Sequence, residues 1–464
     1  MGSTFHIENF GCRAARADGE AVGERLRASG LAEAQPSAAD VMIINTCSVT
    51  AEADRAARAF IRRAHRLNPD ARILVTGCYA QRAPAELARI DGVSAVVGNS
   101  HKALAPEIAI RLAADPGSLG KPAGPIDLLP VQALLGTPVW VDDRFAHSFL
   151  EEAQLVPGTQ TRPNLKIQEG CGNRCTFCII PETRGHSRSL PPESVLAQVR
   201  NFRAAGGKEL VLSGINLGRW GRDLSPVQGA RPTLAGLLRR IFEETGLPRL
   251  RLSSIEPMDW DADLLSVTRE FAGSRLARHA HLPLQSGSDT VLRRMHRRYR
   301  PWHYAEKVAA LVEAFGPEVT IGADVMVGFP GETDREFEET CQLIRNLPFG
   351  YLHIFPFSPR PGTRGWAMHA ESPVPQKVVT ERQSRLVTLA CDKTRSHRVR
   401  FVGSSLDAVT LHTPERLQLA HRTIALTENF LPVEIAGSLM ANRFTQIRVT
   451  GIASDLKLTA CVQV

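Results

Sequence analysis

The chain of 464 residues is predicted to be a multidomain α/β protein with three folded parts. Strand-like and helix-like segments alternate from residue 4 to about residue 385, which predicts parallel sheets covered by helices. After residue 400 the helical pattern ends and five short strands follow, which predicts a small barrel. The predicted parts are a flavodoxin- or Rossmann-like parallel sheet at 1–110, a linker at 111–160, a partial (β/α)6 barrel at 161–385, and a small antiparallel β-barrel with a basic lead-in at 386–464.

The amino-terminal domain places a cysteine after each of its three predicted strands. The strands are Thr4–Asn9, Val41–Asn45 and Ala71–Thr76, with helices near 19–30, 51–68 and 82–91. Cys12, Cys47 and Cys78 follow these strands. Because the carboxyl ends of parallel strands share one edge of a sheet, these thiols are expected to converge on a metal cluster. The alternative is three small buried residues in turns, which is the ordinary setting of a single cysteine.

The linker is rich in Pro and Gly and contains one predicted strand, Pro138–Val141. The central domain contains six predicted strands, which are Asn164–Gln168, Glu209–Ser213, Leu250–Ser254, Ala280–Leu284, Thr320–Met326 and Tyr351–Phe355. Enzymes built on such barrels hold their ligands at the carboxyl ends of the strands. The polar residues that fall there are Ser213, Asn216, Ser253, Ser254, Glu256, Gln285, Ser286 and Asp324. Each of them also suits an alternative role in helix capping or turn bonding.

The first central strand leads into three closely spaced cysteines. Cys171, Cys175 and Cys178 have the spacing C-x3-C-x2-C. Three thiolates in one loop can bind an iron–sulfur cubane and leave its fourth iron open to an exogenous molecule. A structural zinc site usually needs four ligands, commonly in two separated pairs, and no second close pair is present. A disulfide is not expected in a chain without a secretory signal.

These motifs together resemble the radical S-adenosylmethionine (SAM) methylthiotransferase family. The resemblance rests on the segment from Cys171 to Gly185 and on the three segments around Cys12, Cys47 and Cys78, and it covers nearly the whole chain. It implies two [4Fe-4S] clusters, one bound by Cys171, Cys175 and Cys178 with SAM on its open iron, and an auxiliary one bound by Cys12, Cys47 and Cys78. It also implies that the polar residues at the strand ends bind SAM. No side chain is assigned as a catalytic acid or base, because the two clusters carry the chemistry.

The resemblance implies a transfer of a methylthio group to a C–H bond, driven by a one-electron reductant such as flavodoxin or ferredoxin. Segments near Arg184, Ser253, His281 and Met295 resemble the branch that acts on threonylcarbamoyladenosine in tRNA, and the last barrel resembles the TRAM RNA-binding module. Isopentenyladenosine in tRNA and a ribosomal-protein aspartate are the alternative substrates. A non-catalytic iron–sulfur RNA-binding sensor and a zinc-stabilised RNA-binding protein are the alternatives of another class.

The formal net charge of +8 is concentrated in clusters of basic residues. They lie at Arg55–Arg66, at Arg293–Arg300 and between Lys377 and Arg400. Such clusters suit a polyanion such as RNA, although a solvated helix face is the alternative for any one of them. The sequence has no signal peptide and no uncharged apolar run of ~20 residues, so a cytoplasmic location without membrane contact is expected. The sequence does not indicate the oligomeric state.

Overall fold

The computed structural model describes residues 3–114, 129–145, 161–226 and 229–463. These residues form two compact units. The first contains the described residues of Met1–Gln154 together with Gln168–Arg188 and Ser358–Thr363. The second contains the described residues of Leu155–Ile167, Ser189–Phe357 and Arg364–Val464.

The first unit is built around a seven-stranded sheet. Its strands are β1 (Thr4–Asn9), β2 (Ala32–Glu33), β3 (Val41–Thr46), β4 (Arg72–Gly77), β5 (Val93–Gly98), β6 (Gln132–Leu134) and β7 (Thr137–Trp140). The strand order is β2-β1-β3-β4-β5-β7-β6, and every neighbouring pair is parallel except β6 and β7. The helices that follow these strands are α1 (Arg13–Ala28), α2 (Ala51–Leu67), α3 (Cys78–Arg82), α4 (Pro84–Ala88) and α5 (Ala105–Ala114).

Helices cover both faces of this sheet, which explains the nearly continuous apolar strands. All six residues of β3 are buried. One core cluster joins Ile44 to Ile61 of α2, and a second joins Ile43 to Ile108 of α5. Alternate residues of one strand therefore enter two different cores, as expected for a parallel sheet covered on both sides.

Several predicted boundaries in this unit differ from the structure. The helix predicted at 19–30 begins at Arg13, directly after Cys12. The helix predicted at 82–91 is two short helices separated at Ala83, since the residue before Pro84 is disfavoured in the helical conformation. β5 was not predicted, and β6 and β7 lie within the range predicted as a linker.

The second unit contains a partial (β/α)6 barrel. In chain order the next strands are β8 (Asn164–Glu169), β9 (Arg188–Ser189), β10 (Glu209–Gly214), β11 (Arg249–Leu252), β12 (His279–His281), β13 (Thr320–Val327) and β14 (Phe349–Pro356). They form the sheets β11-β10-β8-β9 and β12-β13-β14. α6 (Ile180–Arg184) follows β8 and belongs to the first unit. The helices of the second unit before the small barrel are α7 (Pro192–Ala204), α8 (Leu234–Glu244), α9 (Ala262–Phe271), α10 (Asp289–Arg294), α11 (Pro301–Phe315), α12 (Asp334–Asn346), α13 (Arg364–Glu371) and α14 (Gln376–Val399).

The same unit ends in the predicted small barrel. Its elements are β15 (Ser405–Thr410), α15 (Glu415–Leu419), β16 (Arg422–Thr427), β17 (Pro432–Ala436), β18 (Phe444–Ile452) and β19 (Leu458–Val462). The strands close in the order β15-β16-β17-β19-β18 around an apolar core. One neighbouring pair, β17 and β19, is parallel, so the barrel is not purely antiparallel. α14 runs continuously across the predicted boundary between residues 385 and 386.

None of the helices in the described residues is long and apolar enough to cross a membrane.

Candidate metal centres and cofactor site

Three cysteines lie at the carboxyl edge of the first sheet. Cys12 is the N-cap of α1, Cys47 follows β3, and Cys78 is the first residue of α3. The strands that precede them, β1, β3 and β4, are neighbours in the sheet. Cys12 is exposed, whereas Cys47 and Cys78 are buried, and the structure contains no disulfide among its described residues. The expected arrangement of thiols at one edge is therefore present.

Two glycines allow the backbone to approach closely beside these cysteines. Gly11 has a φ of +106°, and a Cβ added there would lie 2.4 Å from Cys47 Cβ and 2.8 Å from its Sγ. Gly77 has a φ of +98°, and its added Cβ would lie 2.3 Å from the carbonyl oxygen of Thr46. Both positions therefore require glycine for its conformation and for its lack of a side chain.

The three thiols are close enough to influence one another's ionisation. Burial, followed by the charges of Cys78 and Cys12, raises the pKa of Cys47 to about 12, and Arg184 acts in the opposite direction. Metal ligands must be deprotonated, and a bound cation would favour the thiolate form of Cys47. The donor set therefore fits an iron–sulfur cluster.

Two side chains donate hydrogen bonds to the sulfur of Cys78. Arg184, the last residue of α6, donates from Nε at 3.3 Å. Asn99 donates from Nδ2 at 3.4 Å and also donates to the Thr183 carbonyl at 2.8 Å. Arg184 and Thr183 belong to the segment that carries Cys171, Cys175 and Cys178. These contacts therefore connect that segment to Cys78, and all of these residues lie in the first unit.

Arg184 is also part of a buried group of four charged side chains. Its Nη1 donates to Glu169 at 2.6 Å and to Asp18 at 3.1 Å. Lys102 pairs with both of these carboxylates. Two cations thus pair with two carboxylates, and their attraction offsets part of the desolvation penalty of burying these charges. The sequence motif around Arg184 was visible, but its partners are distant in the chain and were not predicted.

The second set of cysteines lies in the loop between β8 and α6. Cys171, Cys175 and Cys178 are all partly exposed. The Asn173 amide donates to Cys171 Sγ at 3.4 Å, and the Cys171 amide donates to the Gly185 carbonyl at 3.0 Å. Three partly exposed thiols in one loop fit a cluster that an exogenous molecule can reach.

The polar residues predicted to bind SAM lie in the second unit. Ser213 ends the buried part of β10, Ser253 follows β11, and Gln285 follows β12 with a φ of +63°. Ser213 Oγ, Ser253 Oγ and Gln285 Oε1 are buried and have no hydrogen-bond partner within the described residues. Buried polar atoms are usually paired, so these three unpaired oxygens fit a polar ligand. The ammonium and hydroxyl groups of SAM are suitable donors.

The remaining members of the predicted set differ in their surroundings. Glu256 pairs with Arg297 at 2.6 Å, and Asp324 Oδ1 lies 3.3 Å from His281 Nε2, a contact that is an ion pair only when the ring is protonated. Asn216 is buried and Ser254 is half-buried. The structure thus gives Glu256 and Asp324 protein partners that the sequence did not predict, and the role of the whole set in binding SAM stays a prediction.

Asp324 belongs to a second group that the sequence did not predict. His281, Asp324 and His353 place possible metal-ligand atoms within 4.8 Å of one another. Asp324 and His353 face each other across β13 and β14. The three residues are far apart in sequence, and only the strand register brings them together.

The predicted basic clusters are partly consumed by internal ion pairs. Arg294 pairs with Glu336 at 2.8 Å, and the buried Arg382 pairs with Glu332 at 2.8 Å. Both guanidinium groups are therefore already bound by carboxylates of the same unit. The arginines of α2 that stay exposed are Arg55, Arg62, Arg63 and Arg66. The sequence count of basic residues therefore overstates the charge that a polyanion can meet.

Two known domain families match the chain. Residues 4–98 match the uncharacterized protein family UPF0004, and residues 165–344 match the Radical SAM superfamily. The first match spans Cys12, Cys47 and Cys78, and the second spans Cys171, Cys175 and Cys178.

Similar proteins extend over almost the full chain. A threonylcarbamoyladenosine tRNA methylthiotransferase MtaB of Bacillus subtilis is 35% identical, with 94% of this chain and 91% of that protein aligned. A protein of the same name from Rickettsia prowazekii is 33% identical over 96% and 94% of the two chains. A tRNA-2-methylthio-N(6)-dimethylallyladenosine synthase of Geobacter metallireducens is 32% identical over 96% and 95%.

A solved structure supports the fold independently. The radical S-adenosylmethionine methyltransferase TsrM of Kitasatospora setae, with cobalamin and a [4Fe-4S] cluster bound, has a TM-score of 0.53 to this chain. The alignment covers 80% of this chain and 75% of TsrM at 14% sequence identity. At that identity the likeness concerns the fold alone.

Proposed function

The chain belongs to the radical SAM methylthiotransferases, and from this premise we propose that it attaches a methylthio group to C2 of N6-threonylcarbamoyladenosine in tRNA, next to the anticodon on its 3′ side. Family membership makes the chain an enzyme that uses SAM and a [4Fe-4S] cluster, which sets aside the non-catalytic sensor and the zinc protein. The substrate, the second cluster and the residue assignments are the parts that we propose.

The observation that carries the substrate proposal is the end-to-end similarity to relatives named for threonylcarbamoyladenosine. The alignment covers 94% of this chain and 91% of the Bacillus subtilis protein. The polar strand ends and the closed carboxyl-terminal barrel support it, since a tRNA substrate needs a binding surface beyond the reaction centre.

We assign three tasks to the chain's own residues. Cys171, Cys175 and Cys178 hold the cluster that, with SAM bound, supplies the one-electron chemistry needed to activate an unreactive C–H bond. Ser213, Ser253 and Gln285 orient SAM through oxygens that have no hydrogen-bond partner among the described residues. The third task, holding the auxiliary [4Fe-4S] cluster that carries the sulfur, falls to Cys12, Cys47 and Cys78.

The remaining partners follow from this chemistry. A one-electron donor of the flavodoxin or ferredoxin type reduces the cluster, and the exposed arginines of α2 contribute to tRNA binding through phosphate contacts. Both fit an enzyme that works in the cytoplasm.

Nucleoside mass spectrometry of total tRNA tests the substrate. Deleting the gene in a strain without a second such enzyme is expected to abolish 2-methylthio-N6-threonylcarbamoyladenosine while its unmodified precursor accumulates. Wild-type protein should restore the nucleoside, and a Cys12→Ala/Cys47→Ala/Cys78→Ala variant should not. An unchanged level after deletion contradicts the proposal.

The second candidate substrate is dimethylallyladenosine in tRNA, which is the isopentenyladenosine already considered as an alternative. The similarity to the Geobacter metallireducens synthase, only slightly lower than that to the other relatives, favours keeping it. The same spectra separate the two, because deletion would then remove the 2-methylthio form of dimethylallyladenosine and leave the threonylcarbamoyl nucleoside unaffected.

A further inference from the structure

Arg184 is a fully buried arginine, and one nitrogen of its guanidinium has no hydrogen-bond partner among the described residues. Its Nη1 is paired with Glu169 and Asp18, and its Nε donates to Cys78 Sγ. Its Nη2 is buried and has no hydrogen-bond partner among the described residues. Leaving a buried charged donor unpaired is unfavourable, so an acceptor is expected beside Nη2.

The shape of the guanidinium indicates where that acceptor lies. The group is planar, and Nε–H and one Nη2–H point in the same direction from one edge. Nε donates to Cys78 Sγ at 3.3 Å. The Nη2–H beside it must therefore point to the space next to the same sulfur. An acceptor in that space lies next to whatever Cys78 ligates.

The local charges make the same point. Among the described residues, the two carboxylates paired with Arg184, those of Glu169 and Asp18, both contact Nη1 and not the edge formed by Nε and Nη2. The Nε edge of the same guanidinium faces a cysteine instead, since Nε donates to Cys78 Sγ at 3.3 Å. An ion pair with Glu169 alone would explain Nη1 but not the edge that faces the cysteines.

We propose that Arg184 is a positioning residue for the auxiliary cluster, donating Nε–H to the Cys78 sulfur and Nη2–H to a sulfide of the cluster beside it. Hydrogen bonds and positive charge directed at cluster sulfurs stabilise the reduced form, so Arg184 raises the reduction potential of that cluster. This inference rests on the proposed second cluster at Cys12, Cys47 and Cys78.

Arg184 also connects the two sets of cysteines through the chain. It follows Cys178 by six residues and ends the helix that closes the second loop. The loop that holds one cluster thus supplies the donor for the other. A shift of this loop would change the hydrogen bonds at Cys78 as well.

The test uses the full-length chain with Cys171→Ala, Cys175→Ala and Cys178→Ala, so that any reconstituted cluster is the auxiliary one. Its midpoint potential is measured by redox titration monitored by electron paramagnetic resonance. Arg184→Gln is expected to shift the potential to a more negative value and to change the spectrum. Arg184→Lys keeps the charge but cannot provide two adjacent donors, so we expect an intermediate shift.

The control is Arg382→Gln, which removes another buried arginine from ion pairs with Glu332 and Asp334. Its cluster potential should equal that of the parent, which separates a local effect from general destabilisation. A full iron content with an unshifted potential in Arg184→Gln overturns the inference. If that variant holds no iron, Arg184→Lys decides by the same criterion. Absence of iron in the parent itself is a different result, because it overturns the second cluster.

Discussion

Gly11 is the residue at which backbone conformation and cysteine packing meet most closely. We expect Gly11→Ala to lose the auxiliary cluster, because its Cβ would lie within 2.8 Å of the Cys47 sulfur. A matched control is Gly30→Ala, which has a similar positive φ of +86° but no atom within 4 Å of the added Cβ. In both variants the positive φ of an alanine is expected to lower the free energy of unfolding by about 1–3 kcal/mol. Iron content should fall only in Gly11→Ala, and equal iron in both variants contradicts the close packing.

Ser253, which we propose binds SAM, contrasts with Ser286, which already has protein hydrogen bonds. Ser253 Oγ is buried without a partner among the described residues, whereas Ser286 Oγ bonds to Thr340 Oγ1 and to the Ser288 amide. Ser253→Ala should therefore leave the stability of the SAM-free protein unchanged or raise it, while SAM affinity falls roughly tenfold.

Ser286→Ala should have the opposite pattern, because it removes bonds that exist without SAM and is expected to cost about 1 kcal/mol of stability. Calorimetric SAM binding and chemical unfolding of the two variants give the comparison. Equal effects of both substitutions on SAM affinity would argue against the assignment of Ser253.

At the scale of elements, α14 is fastened to β13 by a buried histidine. His397 Nε2 and Thr320 Oγ1 share a hydrogen bond of 2.9 Å. Burial, followed by the charges of Arg400 and Arg398, lowers the pKa of His397 from 6.5 to about 4. Between these two values the unfolded chain binds more protons than the folded chain, so the free energy of unfolding rises with pH.

The contribution of His397 is thus complete above pH 6.5 and is lost as the pH falls towards 4. The size is on the order of 3 kcal/mol over the whole window. Denaturant unfolding of wild type and His397→Gln at pH values across the window should reveal a steeper dependence in wild type. The exposed His412→Gln should behave like wild type, and parallel curves for wild type and His397→Gln contradict the prediction.

At the scale of the whole molecule, the sequence predicted the succession of folds because periodicity and strand-end cysteines are local signals. The convergence of Cys12, Cys47 and Cys78 followed from a single rule about parallel strands. β5 was missed although Val93–Gly98 is apolar. β7 could not be assigned to the first sheet because residues without periodicity separate it from β5, the strand with which it pairs.

The parts that sequence reasoning missed are contacts between distant residues. Arg184 donates to Cys78, which is 106 positions away in the sequence, and Arg297 donates to Glu256, which is 41 positions away. Nothing in the local pattern around Arg184 or Glu256 specifies such a partner. Charged residues that pattern analysis assigns to a ligand or to RNA can therefore belong to internal ion pairs, as Arg294 and Arg382 do.

Iron and sulfide content per chain tests the two-cluster assignment most directly. Anaerobically purified and reconstituted wild type should contain two tetranuclear clusters. The Cys12→Ala/Cys47→Ala/Cys78→Ala variant should retain one, and the Cys171→Ala/Cys175→Ala/Cys178→Ala variant should retain the other. A first-sheet variant that keeps the full iron content of wild type would contradict the account.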